Sequence, residues 1–257
     1  MSEIILNGKT IKLWGDRLDL SEKKIKCISE IKGLENLTYL KELNLSGNSI
    51  KQVKDIEILS NLESLNLRYN QLSEISGIES LTNLKKLYLY NNNLTQIKGL
   101  DKLKNLKVLN LYENYIPKIK GLENLICLEE LHLGSNKISE IKGLIPLKNL
   151  RFLNLEKNKI SEIKGLNTLK NLVLLNLKWN QISEIKNLEN LQNLMRLELA
   201  YNLISQIKGL EKLEKLINLD LRGNPIYNSY IKDKNNLKKM VKDLDAQDLV
   251  KLCKQKI

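Results

Sequence analysis

One asparagine returns every 22 residues: Asn48, Asn70, Asn92, Asn114, Asn136, Asn158, Asn180, Asn202 and Asn224. Around each lies the same frame, which in one copy reads Leu84, Leu87, Leu89, Asn92, Leu94, Ile97, Leu100, Leu103. Length alone would suggest two domains for 257 residues, but a fixed period decides the matter differently, because repeat units stack and extend one core. The Leu-x-Leu portion, as in Leu65-Asn66-Leu67, alternates with period two and predicts a short strand. The later Ile-x-x-Ile-x-x-Leu-x-x-Leu portion has spacing three, which suits 3-10 or extended turns, where residues three apart align.

Energetics require the copies to stack. Each apolar frame residue contributes roughly 1.5–3 kcal/mol when fully buried, while ordering the backbone costs on the order of 1–2 kcal/mol per residue. A single copy therefore cannot stand alone. The asparagine follows from the same geometry. The chain must turn at every level and leave backbone groups inside the stack. Asparagine carries donors and an acceptor, so it is expected to satisfy its own turn and the next one. A second column holds Gly33, Gly77, Gly99, Gly121, Gly143, Gly165 and Gly209, with Asp55 and Asn187 in the same place. These residue types tolerate positive φ, which predicts a left-handed turn there. No phosphate-binding glycine motif occurs.

From Leu18 to Ile226 the chain resembles the leucine-rich-repeat family, in the 22-residue subclass that includes protein phosphatase 1 nuclear regulatory subunits and bacterial internalins. The L-x-x-L-x-L-x-x-N core carries the resemblance. It implies an α/β solenoid: a curved array with a concave parallel β-sheet and convex 3-10 or turn segments. It also implies a non-catalytic scaffold binding a protein on the concave face, with a phosphatase catalytic subunit as one candidate partner. In the phosphatase regulators that face carries aromatic and acidic contacts, and the matching positions here hold Tyr88, Glu113, Glu156, Trp179, Glu198, Tyr201 and Asp220.

Three segments are expected. Residues 1–17 form an N-terminal cap, because Asn7-Gly8 lies between short β-rich runs and predicts a hairpin over 3–14, with Trp14 packed behind it. Residues 18–226 hold one irregular and nine regular repeats, the irregular one carrying extra residues around Lys23–Ile25. Residues 227–257 form a helical cap, since Leu237, Met240, Val241 and Leu244 fall at helical spacing and Asp245 can start a second helix.

Side chains between and beside the strand leucines point to the face opposite the core. Aromatics make up only 5% of the chain, yet most lie there: Tyr69, Tyr88, Tyr90, Tyr112, Tyr115, Phe152, Trp179 and Tyr201. With Glu113, His132, Glu156 and Glu198 they are the candidate partner-binding residues. Tyrosine and tryptophan on a surface are typical interface anchors.

The net charge of +12 allows a second reading, association with nucleic acid or anionic membrane through lysine-rich faces. Lysine rather than arginine supplies that charge, which argues against specific phosphate or base recognition. Lys98, Lys120, Lys142, Lys164, Lys186 and Lys208 stack in one column, with Glu140, Glu162 and Glu184 two residues earlier, as on a solvated face. His132 and Cys127 enter the same strand with diverging side chains, so no nucleophile–base pair is expected. No metal-ligand spacing appears and no cofactor is expected. Cys27, Cys127 and Cys253 are odd in number and far apart, which fits reduced thiols and a cytoplasmic or nuclear location. The N-terminus lacks a secretory pattern, and no apolar run is long enough to span a membrane. A monomer is expected.

Overall fold

Asn7 and Gly8 both take positive φ, 51° and 72°, as a type I′ turn requires. They join β1 (Ser2–Leu6) to β2 (Lys9–Leu13) in an antiparallel pair, with Leu6 opposite Lys9. Ile4, Leu6 and Leu13 are buried. Reciprocal backbone bonds between Ile5 and Lys32, 2.8 and 3.0 Å long, fasten the hairpin to the chain that follows. The structure, a computed structural model, describes residues 2–13 and 15–226. Trp14 and the helical cap expected over 227–257 lie outside the described residues.

The chain divides into two units, Met1–Ile116 with Lys120–Leu131, and Pro117–Ile119 with His132–Ile257. In the first, β3 (Arg17–Asp19), β4 (Glu42–Asn44), β5 (Ser64–Asn66), β6 (Lys86–Tyr88) and β7 (Val108–Asn110) pair in parallel, each with the next. Register is strict: Leu18, Leu43, Leu65, Leu87 and Leu109 lie opposite one another in turn. β8 (Glu130–His132) falls where the chain passes from one unit to the other. In the second unit β9 (Phe152–Asn154), β10 (Leu174–Asn176), β11 (Arg196–Glu198) and β12 (Asn218–Asp220) pair in the same way.

The spacing-three segment is a chain of single turns. Leu81 donates its N–H to the carbonyl of Ile78, and Leu84 to that of Leu81, both at 3.0 Å. Leu103 and Leu106, then Leu125 and Leu128, repeat the pattern. Among the described residues only Ile28–Glu30 and Leu34–Asn36 lengthen into 3-10 helices. One i→i+3 bond at a time brings the next frame residue back to the inside. In the copy quoted above the frame residues Leu84, Leu87, Leu89, Leu94, Ile97, Leu100 and Leu103 are at most 4% exposed.

The glycine column has the expected left-handed backbone and a second cause as well. At Gly121 φ is 88°, and a Cβ there would run into the carbonyl oxygen of Ile97 one level back. Asn187, in the same column at φ 59°, instead donates its side-chain amide to the Ile163 carbonyl, 2.6 Å away. In the irregular opening repeat the extra residues bend through Glu22 and Lys24, at φ 58° and 61°. Asn48 Oδ1 accepts the N–H groups of both Lys23 and Ile25, each at 3.0 Å.

Candidate functional site

The exit of each strand is held by the asparagine column. Asn180 is 9% exposed. Its amide donates to the carbonyls of Leu177 and Lys178 in its own repeat, both at 3.1 Å, and of Leu155 one repeat earlier, at 2.9 Å. Its oxygen accepts the N–H of Ile160, also one repeat earlier, at 3.0 Å. Asn70, Asn92, Asn114, Asn158, Asn202 and Asn224 bond in the same sense. The side chain therefore serves its own turn and the preceding level, not the following one as expected. The cause is directional: the amide meets the two strand-end carbonyls behind it, Leu155 and Leu177.

The residue just before each asparagine is left-handed. Gly47, Tyr69, Asn91, Glu113, Ser135, Lys157, Trp179, Tyr201 and Gly223 have φ between 50° and 71°. Glycine and asparagine adopt this conformation at little cost, whereas other L-residues pay about 1–2 kcal/mol. The fold imposes the bend at every level, and the sequence places bulky side chains on it at several. Only Gly47, Asn91 and Gly223 hint at this backbone in the sequence, so the column was not readable there.

The same face carries two aromatic groups, one in each unit. In the first, Tyr90 lies between Tyr69 and Tyr112 in edge-to-face contacts, with ring centroids 4.9 and 5.4 Å apart. Hydrogen bonds to Tyr69 and to the Glu113 carboxylate, together with burial, hold the Tyr90 hydroxyl well above its ordinary pKa. Glu113 also accepts the Asn91 side-chain amide at 2.9 Å. Tyr88 is half-buried at the end of β6, and Tyr115 is exposed just past Asn114. In the second unit Trp179 and Tyr201 stack, centroids 3.9 Å apart and planes within 10°. They are 50% and 46% exposed. Gly223 lies against the Tyr201 ring, where any Cβ would be too close.

Beside that stack is a layered charge cluster. Lys178 Nζ reaches Glu198 at 2.7 Å and Asp220 at 3.3 Å, while Arg222 grips Asp220 through Nε and Nη2, each at 2.8 Å. The Arg222 bonds outweigh desolvation and depress the Asp220 pKa. Burial pulls the Lys178 pKa down, but Glu198 and Asp220 together raise it overall. Glu156 is half-buried and accepts the Asn176 amide at 2.8 Å. His132 and Phe152 are half-buried, at the end of β8 and the start of β9.

Several asparagines on this face are internal fasteners rather than available contacts. Asn44, Asn66, Asn110, Asn154 and Asn176 each accept the backbone N–H two residues on, at 2.9–3.1 Å. Their side-chain oxygens are therefore committed within the chain. A further ladder runs along another edge. Asn61, Asn83 and Asn105 donate to the carbonyls of Thr38, Ser60 and Thr82 one level back, at 2.9–3.0 Å, and Asn171 and Asn193 do the same for Lys148 and Lys170. Its period of 22 is visible in the sequence.

The lysine column is tied up in the second unit. Lys164 and Lys186 flank Glu162 at 3.0 and 3.1 Å, and Glu184 continues the run to Lys186 and Lys208 at 3.5 and 4.0 Å. Glu140 pairs with Lys142. Among the described residues no three His, Cys, Asp or Glu side chains converge as a metal site, and no helix is long and apolar enough to cross a membrane.

Comparison with known proteins agrees with this geometry. A family model described as leucine-rich repeats (2 copies) matches residues 60–102 and 104–146, and a leucine-rich-repeat model matches 39–62. An internalin C2 structure from Listeria monocytogenes is 34% identical, with a TM-score of 0.65, covering 70% of this chain and 78% of that one. A leucine-rich-repeat protein structure from Leptospira interrogans is 31% identical, with a TM-score of 0.67, covering 80% of this chain and 60% of that one. An internalin structure from Listeria monocytogenes is 28% identical, with a TM-score of 0.57, covering 81% and 74%. No curated protein matches the chain at a significant level.

Proposed function

The chain belongs to the leucine-rich-repeat family, and we propose that it is a non-catalytic scaffold that binds a protein partner on the open face of its strands. The fold is typical of protein–protein interaction scaffolds. The observation that carries the reading is where the aromatics sit. The interior is filled by leucine and isoleucine, while Tyr69, Trp179 and Tyr201 stand about half exposed at the strand exits. Rigid aromatic side chains offer large contact area at low entropy cost.

Capture from lysate tests it. The parent chain should retain a partner that a Tyr69→Ala, Tyr90→Ala, Trp179→Ala, Tyr201→Ala variant loses. Undiminished capture of every partner by that variant would refute the reading. The phosphatase version makes a sharper demand: a phosphatase catalytic subunit must be among the captured proteins. A reduced, intracellular setting is part of the proposal, supported by free thiols at Cys27 and Cys127.

A further inference from the structure

Trp179 and Tyr201 are large side chains placed where the backbone is left-handed, at φ 56° and 57°. The fold imposes that backbone at every level, but bulky residues are rarely found on it, and a side chain kept there at a cost points to another use. The pair is not filling the core, since both rings are about half exposed. Nor is it spread to enclose a ligand: the rings are stacked on each other at 3.9 Å, and Gly223 closes the far side of Tyr201. What remains is an outward apolar rim. Leu203, two residues beyond Tyr201, adds to the exposed apolar surface at 56%.

The charge beside this rim is sorted by depth. Asp220 and Glu198 are sunk, with side chains 11% and 18% exposed. Arg222, bonded to Asp220, is 67% exposed. Lys157, one repeat before Trp179 in the same left-handed column, is exposed as well. The carboxylates thus balance Lys178 and Arg222 from beneath, and the most exposed charged groups of the patch, Arg222 and Lys157, are basic. A partner that approached with basic residues would meet Arg222 and Lys157 first.

We propose that the stacked Trp179–Tyr201 pair is the docking point for an acidic, aromatic-bearing peptide segment of a partner protein. The partner's rings pack on the exposed stack, and its carboxylates meet the guanidinium of Arg222 and the ammonium of Lys157. Charge-assisted bonds of this kind are stronger than neutral ones, and an aromatic contact gives them a fixed position. The inference rests on the scaffold reading and narrows it to one patch and one partner chemistry.

A fluorescein-labelled random copolymer of glutamate and tyrosine is a suitable probe, with polyglutamate and a lysine–tyrosine copolymer as controls. A Trp14→Phe background leaves Trp179 as the only indole, so its emission reports contact at the patch. The copolymer should bind saturably and shift Trp179 emission. Affinity should fall at least tenfold in Trp179→Asn and in Arg222→Gln, and stay unchanged in the Lys164→Gln, Lys186→Gln variant. Circular dichroism should show Trp179→Asn folded, because asparagine already occupies this column at Asn91. Equal binding of polyglutamate with no change in Trp179 emission would overturn the proposal, since the lysine coat alone would explain it. Preference for the lysine–tyrosine copolymer would overturn it too. If the acidic copolymer leaves Trp179 untouched while Trp179→Asn still loses a lysate partner, this inference fails and the scaffold reading stands.

Discussion

The buried asparagine column and the column immediately before it run side by side, and they obey opposite rules. Asn180 is 9% exposed and bonded on both sides of its amide. Trp179 is 50% exposed on a left-handed backbone. The asparagine position is the same in all nine regular repeats. The position before it holds glycine, tyrosine, asparagine, glutamate, serine, lysine and tryptophan in different repeats. Geometry explains the contrast. The bend leaves buried carbonyls that one side chain type can satisfy, while the preceding residue is turned outward and needs only to tolerate positive φ. Of these two columns, one serves stability and its neighbour surface chemistry.

The comparison can be broken at its stable side first. Asn180→Ala leaves the Leu155 and Leu177 carbonyls and the Ile160 N–H without this partner. The two carbonyls keep the amides of Asn158 and Asn202, so the orphaned group is the Ile160 N–H. At about 1–3 kcal/mol for it and about 0.5–1.5 kcal/mol for each of the two carbonyl bonds lost, the loss should be about 2–6 kcal/mol, read as a lower urea midpoint. Gly121→Ala comes next. It combines a positive φ of 88° with a clash against the Ile97 carbonyl, and the expected cost is about 2–3 kcal/mol by the same assay.

The edge ladder sharpens the contrast, because it uses the same residue in water. Asn83 donates to the Ser60 carbonyl at 3.0 Å but is exposed. Solvent can replace that bond, so Asn83→Ala should cost about 0.5–1 kcal/mol. A loss equal to that of Asn180→Ala would show that burial does not set the value of these bonds. Smallest of all is Trp179→Asn. Relief of the left-handed strain, about 1–2 kcal/mol, offsets the lost stacking, about 0.5–1.5 kcal/mol. The urea midpoint should move by no more than about 1 kcal/mol equivalent.

Much of the fold was legible because it is written periodically. The Asn92 frame predicted strand, turn and core, and Asn7-Gly8 predicted the hairpin with its positive-φ turn. The glycine column predicted left-handed backbone, although not the close approach to the carbonyl one level back. The ladder runs opposite to the direction expected, because the strand-end carbonyls that Asn180 meets lie in its own and the preceding repeat. The candidate face was legible in its aromatics but not in its fasteners. The oxygens of Asn66 and Asn110 are taken by the Arg68 and Tyr112 N–H groups, which the residue type alone does not reveal. The left-handed column was hidden because the backbone demand there is met by residues as different as Tyr69 and Glu113.

The division of labour between adjacent columns is tested most directly by one paired measurement. Asn180→Ala and Trp179→Asn are compared for urea midpoint and for binding of the labelled glutamate–tyrosine copolymer by anisotropy. Asn180→Ala should lower the midpoint sharply, and Trp179→Asn should keep the midpoint while losing at least tenfold in affinity. A Trp179→Asn protein that is destabilised as much as Asn180→Ala, or that binds the copolymer as well as the parent, would contradict the account.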